Sequence, residues 1–146
     1  MIEFETTVQI DQPAQRVFAV LVDFESYLAR WAKGPIAAKK LSGDGGAGTR
    51  YMVTAKVGPI KVRSPYDVKS SVPPTSFSGA GIAGPVRFEE TYVLSEDGSQ
   101  TILTQSIRAK PRGPFQLVRG PLDRQLRRLI AADLDRLKGL VEAGGA

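Results

Sequence analysis

Glu90 is the residue of this chain best placed to do chemistry, because aromatic residues flank it in an alternating pattern. Phe88 and Tyr92 lie two positions away on either side, and alternate residues of a strand share one face. A carboxyl group on an apolar face should have a raised pKa, so that it can act as a general acid or base or bind a ligand hydroxyl. Two alternatives predict no chemistry: Glu90 pairs with an arginine, or a bulge exchanges it with Glu89 and turns it to solvent.

The residue types that the chain lacks restrict the remaining chemistry. Its 146 residues include no cysteine and no histidine, which excludes disulfides, thiol nucleophiles, the Ser-His-Asp triad and most transition-metal sites. The acidic pairs Glu89–Glu90 and Asp133–Asp135 have no third ligand at a suitable spacing, so we predict no metal. Gly43–Gly48 has no following Lys-Ser/Thr and is not a phosphate loop. We predict no cofactor.

Length and charge predict one domain, residues 1–146, with a basic C-terminal third. The formal net charge is +5; residues 101–146 hold nine basic and four acidic residues, whereas residues 1–36 hold three and five. The N-terminus is acidic where a signal peptide would be basic. The longest apolar run, residues 17–22, is shorter than the about 20 residues that span a bilayer. We therefore expect a soluble cytoplasmic protein, with peripheral membrane association as an alternative.

Hydrophobic periodicity predicts a strand, two short helices, a run of antiparallel strands and one long helix. Residues 2–10 alternate as in a half-buried strand. We expect helices over 13–22, capped by Asp11, and over 24–31, opened by Asp23. Strands separated by turn residues follow from 36 to 110, with Pro65 at an edge or bulge. From Pro121 onward, apolar residues recur at helical spacing.

Several short motifs resemble the START-like superfamily, which includes polyketide cyclase/dehydrase-like and birch-pollen-allergen-like proteins. This resemblance implies an α+β helix-grip fold, in which a curved antiparallel sheet of six to seven strands wraps a long C-terminal helix around a hydrophobic cavity. Val57–Lys61 also resembles a hairpin of the carbon monoxide dehydrogenase branch of this superfamily, which implies lipid-like ligands and membrane-peripheral roles. The superfamily motifs are Ile10–Pro13 with Val17–Phe18, Asp23–Tyr27 with Trp31, Gly48–Arg50, Pro73–Pro74 before Phe77, and Asp97–Gly98 with Thr101.

Side-chain alternation, combined with this fold, predicts which residues line the cavity. A solid core is the alternative, but three tyrosines, a serine, a glutamine and a glutamate on the inward face fit a ligand pocket better, because unpaired buried polar groups cost about 1–3 kcal/mol each. The predicted lining consists of Phe4, Thr6, Tyr51, Val53, Val62, Ser64, Tyr66, Phe77, Phe88, Glu90, Tyr92, Gln105, Ile107, Leu122, Leu126, Leu129 and Ile130. We expect Trp31 and Phe115 at the cavity mouth.

Three functions are compatible with these features. The first, which we favour, is binding or transport of a hydrophobic small molecule such as a lipid, a polyketide-like aromatic or a quinone. The second is a metal-free cyclase, dehydratase or isomerase that uses Glu90 with Tyr66 or Tyr92. The third is docking on an anionic membrane or a partner. A solvated helix face is the alternative to docking, and no nucleic-acid-binding motif is present. The docking residues would be Arg119, Arg124, Arg127 and Arg128.

Overall fold

The computed structural model describes residues 2–83, 86–111, 113 and 119–144. These residues form the predicted α+β helix-grip fold, with two short helical segments after the first strand and a long C-terminal helix. A π-helical turn continues directly into the second helix, so the segment predicted as one helix over 24–31 has two parts. In chain order the elements are β1 (Ile2–Ile10), α1 (Ala14–Val22), the π-turn (Phe24–Leu28), α2 (Ala29–Trp31), β2 (Pro35–Ser42), β3 (Arg50–Val57), β4 (Ile60–Val72), β5 (Ser76–Ala83), β6 (Val86–Asp97), β7 (Gln100–Pro111) and α3 (Arg119–Glu142).

All seven strands belong to one antiparallel sheet, in the order β1-β7-β6-β5-β4-β3-β2. The alternation seen in the sequence is the alternation of the two faces: every second side chain is buried from Thr101 to Pro111 of β7 and from Glu90 to Leu94 of β6, where Phe88 is partly buried. The buried positions face the helices and form the inner face of the sheet, whereas charged residues such as Glu89 and Arg108 occupy the outer face. The predicted face of each of these strands is therefore confirmed.

The helix α3 packs against the inner face through its C-terminal half. Leu134, Leu137 and Val141 are fully buried in the main core together with Val17 and Leu21 of α1. The N-terminal half of α3 packs more loosely: Leu122, Leu126 and Ile130 are partly buried against a second, smaller cluster around Ile2 and Phe4. Among the described residues, no helix combines the length and the apolar character that a membrane crossing requires.

The start of α1 differs from the prediction that Asp11 caps it. Pro13 occupies the N-cap position without a side-chain cap, and the Ala14 N–H donates instead to Glu96 at 3.1 Å. The Asp11 N–H donates to Glu142 of α3 at 2.7 Å. The missing cap is thus replaced by a carboxylate from the far end of β6, a partner that local sequence cannot reveal.

Pro65 lies on an inner strand, not on an edge strand of the sheet. Along β4, however, the described pairing with β5 begins at Tyr66, which lies opposite Gly81. Pro65 therefore adjoins the point where β4 is paired with β3 alone, opposite Met52. A residue without an N–H is tolerated there for the same reason that it is tolerated at a sheet edge.

Candidate ligand site

A buried carboxyl group surrounded by three hydrogen-bond donors lies at the centre of the inner face. The Tyr66 hydroxyl donates to one Glu90 oxygen at 2.5 Å. The other Glu90 oxygen accepts from the Tyr92 hydroxyl at 3.2 Å and from the Gln105 amide at 3.0 Å. Gln105 also donates to the Tyr92 oxygen at 3.0 Å. We call Tyr66, Glu90, Tyr92 and Gln105 the polar cluster.

The sheet register explains why these side chains meet. Tyr92 lies directly opposite Gln105 on β7, and Glu90 lies opposite Ile107. Pairing around Glu90 is regular on both sides, so no bulge exchanges it with Glu89, which is exposed. Among the described residues, Glu90 has no salt bridge to an arginine or lysine. Both alternatives to an inward, unpaired carboxyl group are thereby excluded within this part of the chain.

Gly79 makes the contact between Tyr66 and Glu90 possible. Gly79 lies opposite Glu90 on β5, the strand between Tyr66 and Glu90. A Cβ atom at Gly79 would overlap the hydroxyl and ring of Tyr66. The tyrosine therefore lies over the glycine to reach the carboxyl group two strands away. Sequence reasoning missed Gly79, although a glycine inside a strand is a known signal of close approach.

Burial controls the protonation of the polar cluster. Loss of hydration raises the pKa of Glu90, although the hydrogen bonds from Tyr66, Tyr92 and Gln105 oppose the shift. Burial and the adjacent Glu90 charge together raise the pKa values of Tyr66 and Tyr92 well above the ordinary value. The tyrosines thus remain proton donors, while the carboxyl group is shifted towards its neutral form.

Asp133 of α3 is a second buried carboxyl group that acts on this cluster through its charge. Its negative charge raises the pKa of Glu90, as a smaller contribution than burial. Asp133 itself accepts from the Lys33 N–H at 3.0 Å and pairs with Arg136. Burial raises the pKa of Asp133 despite these partners. In the sequence, Asp133 stands out only as half of the acidic pair Asp133–Asp135, and nothing in the local pattern predicts its effect on Glu90.

The predicted lining residues divide into a buried group and a partly accessible group. The buried group consists of the polar cluster itself, Tyr66, Glu90, Tyr92 and Gln105, together with Phe4, Tyr51, Phe77 and Ile107. The partly accessible residues lie on β1 (Thr6), β3 (Val53), β4 (Val62 and Ser64), β6 (Phe88) and α3 (Leu122, Leu126, Leu129 and Ile130). Burial on the inner face is therefore lower on β3 and β4 next to their shared turn, whereas Ile2, Val86 and Ala109 at the same end of the sheet are buried.

Two buried polar atoms near the core have no hydrogen-bond partner in the described part of the chain. They are the side-chain carbonyl oxygen (Oε1) of Gln105 and the indole nitrogen of Trp31. Trp31 is itself buried in the main core, and its backbone oxygen accepts from Arg136 at 2.9 Å. Its predicted place at a cavity mouth stays a prediction, and Phe115 lies outside the described residues.

Surface clefts do not coincide with the polar cluster. One cleft of about 470 Å³ lies beside α1 and is lined by residues such as Arg16 and Tyr27. Another, of about 530 Å³, is lined mainly by outer-face residues such as Arg50 and Arg87. Neither contains Glu90. An interior cavity therefore stays a prediction that rests on the polar cluster and on the lower burial of β3 and β4 next to their shared turn.

The four arginines predicted to form a docking face have different environments. Arg124 and Arg128 are exposed. Arg127 is engaged within the molecule, because it pairs with Asp123 at 2.6 Å, donates to the Glu3 backbone oxygen and lies 4.9 Å from the centre of the Phe4 ring. Arg119 begins α3, and its side chain is outside the described residues. Their docking role stays a prediction.

The antiparallel sheet packed on the long C-terminal helix is a helix-grip fold. Residues 1–142 match the model of one family, described as polyketide cyclase / dehydrase and lipid transport, so the chain belongs to that family. No curated protein matches the chain.

Solved structures share this fold at low sequence identity. The protein TTHA0849 from Thermus thermophilus is 21% identical with a TM-score of 0.80, and the match covers 99% of each chain. Ara h 8.0201 is 14% identical with a TM-score of 0.76, covering 97% of each chain. A START superfamily protein from Mycobacterium smegmatis is 16% identical with a TM-score of 0.74, covering 98% of this chain and 96% of the other. These similarities extend to the fold and not to a ligand.

Proposed function

We propose that this protein binds a hydrophobic small molecule between the sheet and α3, with the polar cluster as its hydrogen-bonding anchor. The observation that supports this most directly is the buried Glu90 carboxyl group, which has three donors and, within the described residues, no ion-pair partner. A solid core gains little from such a group, because its burial costs free energy that an apolar side chain of the same size would not. A mostly apolar site with a few convergent polar groups is typical of small-molecule binding.

The chemistry of the cluster indicates what the anchored group would be. When Glu90 is neutral, its proton can be donated to the Tyr66 oxygen, which frees the Tyr66 hydroxyl to donate to a ligand carbonyl. When Glu90 is ionised, it can accept from a ligand hydroxyl. The side-chain carbonyl oxygen of Gln105 offers a further acceptor. A lipid, a polyketide-like aromatic or a quinone carries such a polar group on an apolar body.

Mass spectrometry of an organic-solvent extract, combined with titration of the purified chain by fluorescent apolar probes, tests this proposal. We expect a stoichiometric apolar molecule in the extract or saturable probe binding. Replacing the half-buried, inward Val53 with tryptophan should fill the site and weaken probe binding about fivefold or more, since a bulky insertion into a packed site costs about 1–3 kcal/mol. Val93→Trp, at an exposed position, is the matched control. An empty extract together with no probe binding would contradict the proposal.

A second candidate function is metal-free catalysis by the same cluster as a cyclase, dehydratase or isomerase. The observation that favours it is a carboxyl group with a raised pKa in contact with a tyrosine hydroxyl, the combination that general acid–base catalysis uses. Glu90→Gln distinguishes the two functions. It should abolish turnover of a polyketide-like substrate if the protein is an enzyme, and change only ligand affinity if it is a binding protein.

The family match does not resolve the branch to which the chain belongs. The resemblance of Val57–Lys61 to the carbon monoxide dehydrogenase branch therefore remains a prediction. The binding proposal depends on the inner face alone and does not require that branch.

A further inference from the structure

One end of the sheet combines features that a ligand-binding core does not explain. The antiparallel register places the β3–β4 turn, the start of β1, the start of β6 and the end of β7 at this end, together with the start of α3. We call it the hairpin end. The β2–β3 and β6–β7 turns lie at the opposite end.

The β3–β4 hairpin projects an apolar side chain into solvent at this end. In the described part of the chain, β4 pairs with β5 only from Tyr66 onward, so Ile60–Pro65 pairs with β3 alone. Ile60 is 64% exposed, more than any other large apolar side chain in the described residues. Ile36, at the start of the neighbouring β2, is 44% exposed. Ile60 forms an exposed apolar tip on this hairpin, and Ile36 is a second exposed isoleucine at the same end, on the far side of β3.

Pairs of like positive charges lie at this end, one pair next to the tip and one on β6 and β7, in an arrangement that does not favour folding. Lys56 lies directly opposite Lys61, and Arg87 lies directly opposite Lys110. Like charges directly opposite each other on neighbouring strands are destabilising. An external anionic surface would offset this repulsion. Further exposed cations at this end are Arg63, Arg124 and Arg128.

At the hairpin end, acidic residues are fewer than basic residues, and two of the acidic side chains are paired with arginines. Glu3 pairs with Arg108 and Asp123 pairs with Arg127, which leaves Glu89 as a further negative charge. Acidic residues accumulate instead at the opposite end, where Asp44, Glu96, Asp97 and Glu142 lie. Such an asymmetric charge distribution orients a molecule as it approaches a negative surface.

We propose that the hairpin end docks on an anionic lipid membrane, with Ile60 inserted at the headgroup boundary and the flanking lysines at the lipid phosphates. Exposed isoleucines beside cations match a lipid surface better than a nucleic acid, which offers no apolar phase. This inference goes beyond the proposed ligand binding. Because the inner faces of β3 and β4 are partly accessible next to their shared turn, docking would also bring this part of the inner face next to the bilayer.

Vesicle co-sedimentation of the chain without added ligand tests the proposal. We expect binding to phosphatidylcholine vesicles that contain phosphatidylserine, weak binding to phosphatidylcholine alone, and loss of binding at high salt. The double variant Lys56→Gln/Lys61→Gln should bind about 30-fold more weakly, since each basic residue near such a surface contributes about fivefold. Ile60→Ser should weaken binding about tenfold through lost apolar insertion.

Matched controls remove the same groups elsewhere. Lys39→Gln/Lys69→Gln removes two exposed lysines of β2 and β4, and Val72→Ser removes an exposed apolar side chain at the opposite end. Both should bind like the unchanged chain, and urea unfolding should show that all variants are folded. Absence of vesicle binding at low salt, or equal losses in test and control variants, would overturn the proposal. So would tighter binding to duplex DNA that is indifferent to Ile60→Ser. None of these outcomes bears on ligand binding.

Discussion

The Tyr66 hydroxyl reaches Glu90 across an intervening strand, at 2.5 Å, because the residue between them on β5 is Gly79. The ring of Tyr66 is held in place by Phe24 of the π-turn, whose ring centre lies 5.0 Å away in an edge-to-face arrangement. The hydrogen bond between Tyr66 and Glu90 is thus positioned by the Phe24 ring on the helix side and by the absence of a side chain at Gly79 on the sheet. The consequences of this geometry can be measured.

Replacing Gly79 with alanine should separate Tyr66 from Glu90. The added methyl group overlaps the tyrosine, so we expect unfolding free energy to fall by about 2–4 kcal/mol from overpacking and a lost buried hydrogen bond. Urea denaturation measures the change. Gly139→Ala is the control, because nothing lies near that position in α3, and helix propensity there predicts a gain of up to about 1 kcal/mol. Equal effects of the two substitutions would contradict the assigned role of Gly79.

The stability of the protein should depend on pH through Glu90. The pKa of Glu90 is raised in the folded state, so its neutral form is favoured there, and the contribution is fully present below the ordinary glutamate pKa. It is lost as pH rises through the raised value, by about 1.4 kcal/mol for every pH unit that separates the folded and unfolded pKa values. Unfolding measured over a pH series should show the unchanged chain losing stability relative to Glu90→Gln across this window. A difference that does not change with pH would refute a raised pKa.

Removing the Tyr66 hydroxyl should shift the titration of Glu90 upward. The hydrogen bond from Tyr66 opposes the burial effect on the Glu90 pKa, so Tyr66→Phe should raise that pKa further and cost about 1 kcal/mol of stability. Carboxyl infrared absorption over a pH series follows the titration. Tyr27→Phe, at a half-buried tyrosine of the π-turn outside the polar cluster, should leave it unchanged. A downward shift in Tyr66→Phe would show that this hydrogen bond does not favour the ionised carboxylate.

Removing the charge of Asp133 should shift the same titration in the opposite direction. The negative charge of Asp133 raises the Glu90 pKa, so Asp133→Asn should lower it. The same infrared titration applies, with Asp135→Asn, an exposed neighbour on α3, as the control. An unchanged Glu90 titration in Asp133→Asn would mean that the two carboxyl groups are electrostatically independent.

Much of the site could be predicted because strand alternation determines which face each side chain occupies. Phe88, Glu90 and Tyr92 share the inner face as expected, and the long helix supplies the opposing apolar surface. The relationships that were missed join distant parts of the chain. Gly79 matters only because the register places it beneath Tyr66, and Glu96 replaces the Asp11 cap only because the end of β6 meets the start of α1. Local periodicity carries no information on such diagonal or long-range contacts.

The features of the hairpin end also could not be predicted from local sequence patterns alone. The paired lysines and Pro65 are visible in the sequence, but their meaning depends on where pairing between β4 and β5 begins. From the sequence, the candidate docking charge was expected on the basic helix. The structure shows Arg127 engaged within the molecule and adds the exposed lysines and Ile60 of the hairpin to the same end.

Calorimetric titration with a matched pair of ligands, naphthol and naphthalene, tests the central claim most directly. If the polar cluster anchors a polar group on an apolar ligand, the unchanged chain, titrated at a pH high enough to ionise Glu90, should bind naphthol about tenfold or more tightly than naphthalene, since a hydrogen bond to a charged group contributes about 1.5–3 kcal/mol. Glu90→Gln should reduce this preference while leaving naphthalene binding unchanged. Equal affinity for both ligands, or a preference that persists in Glu90→Gln, would contradict the role of Glu90 as the anchor.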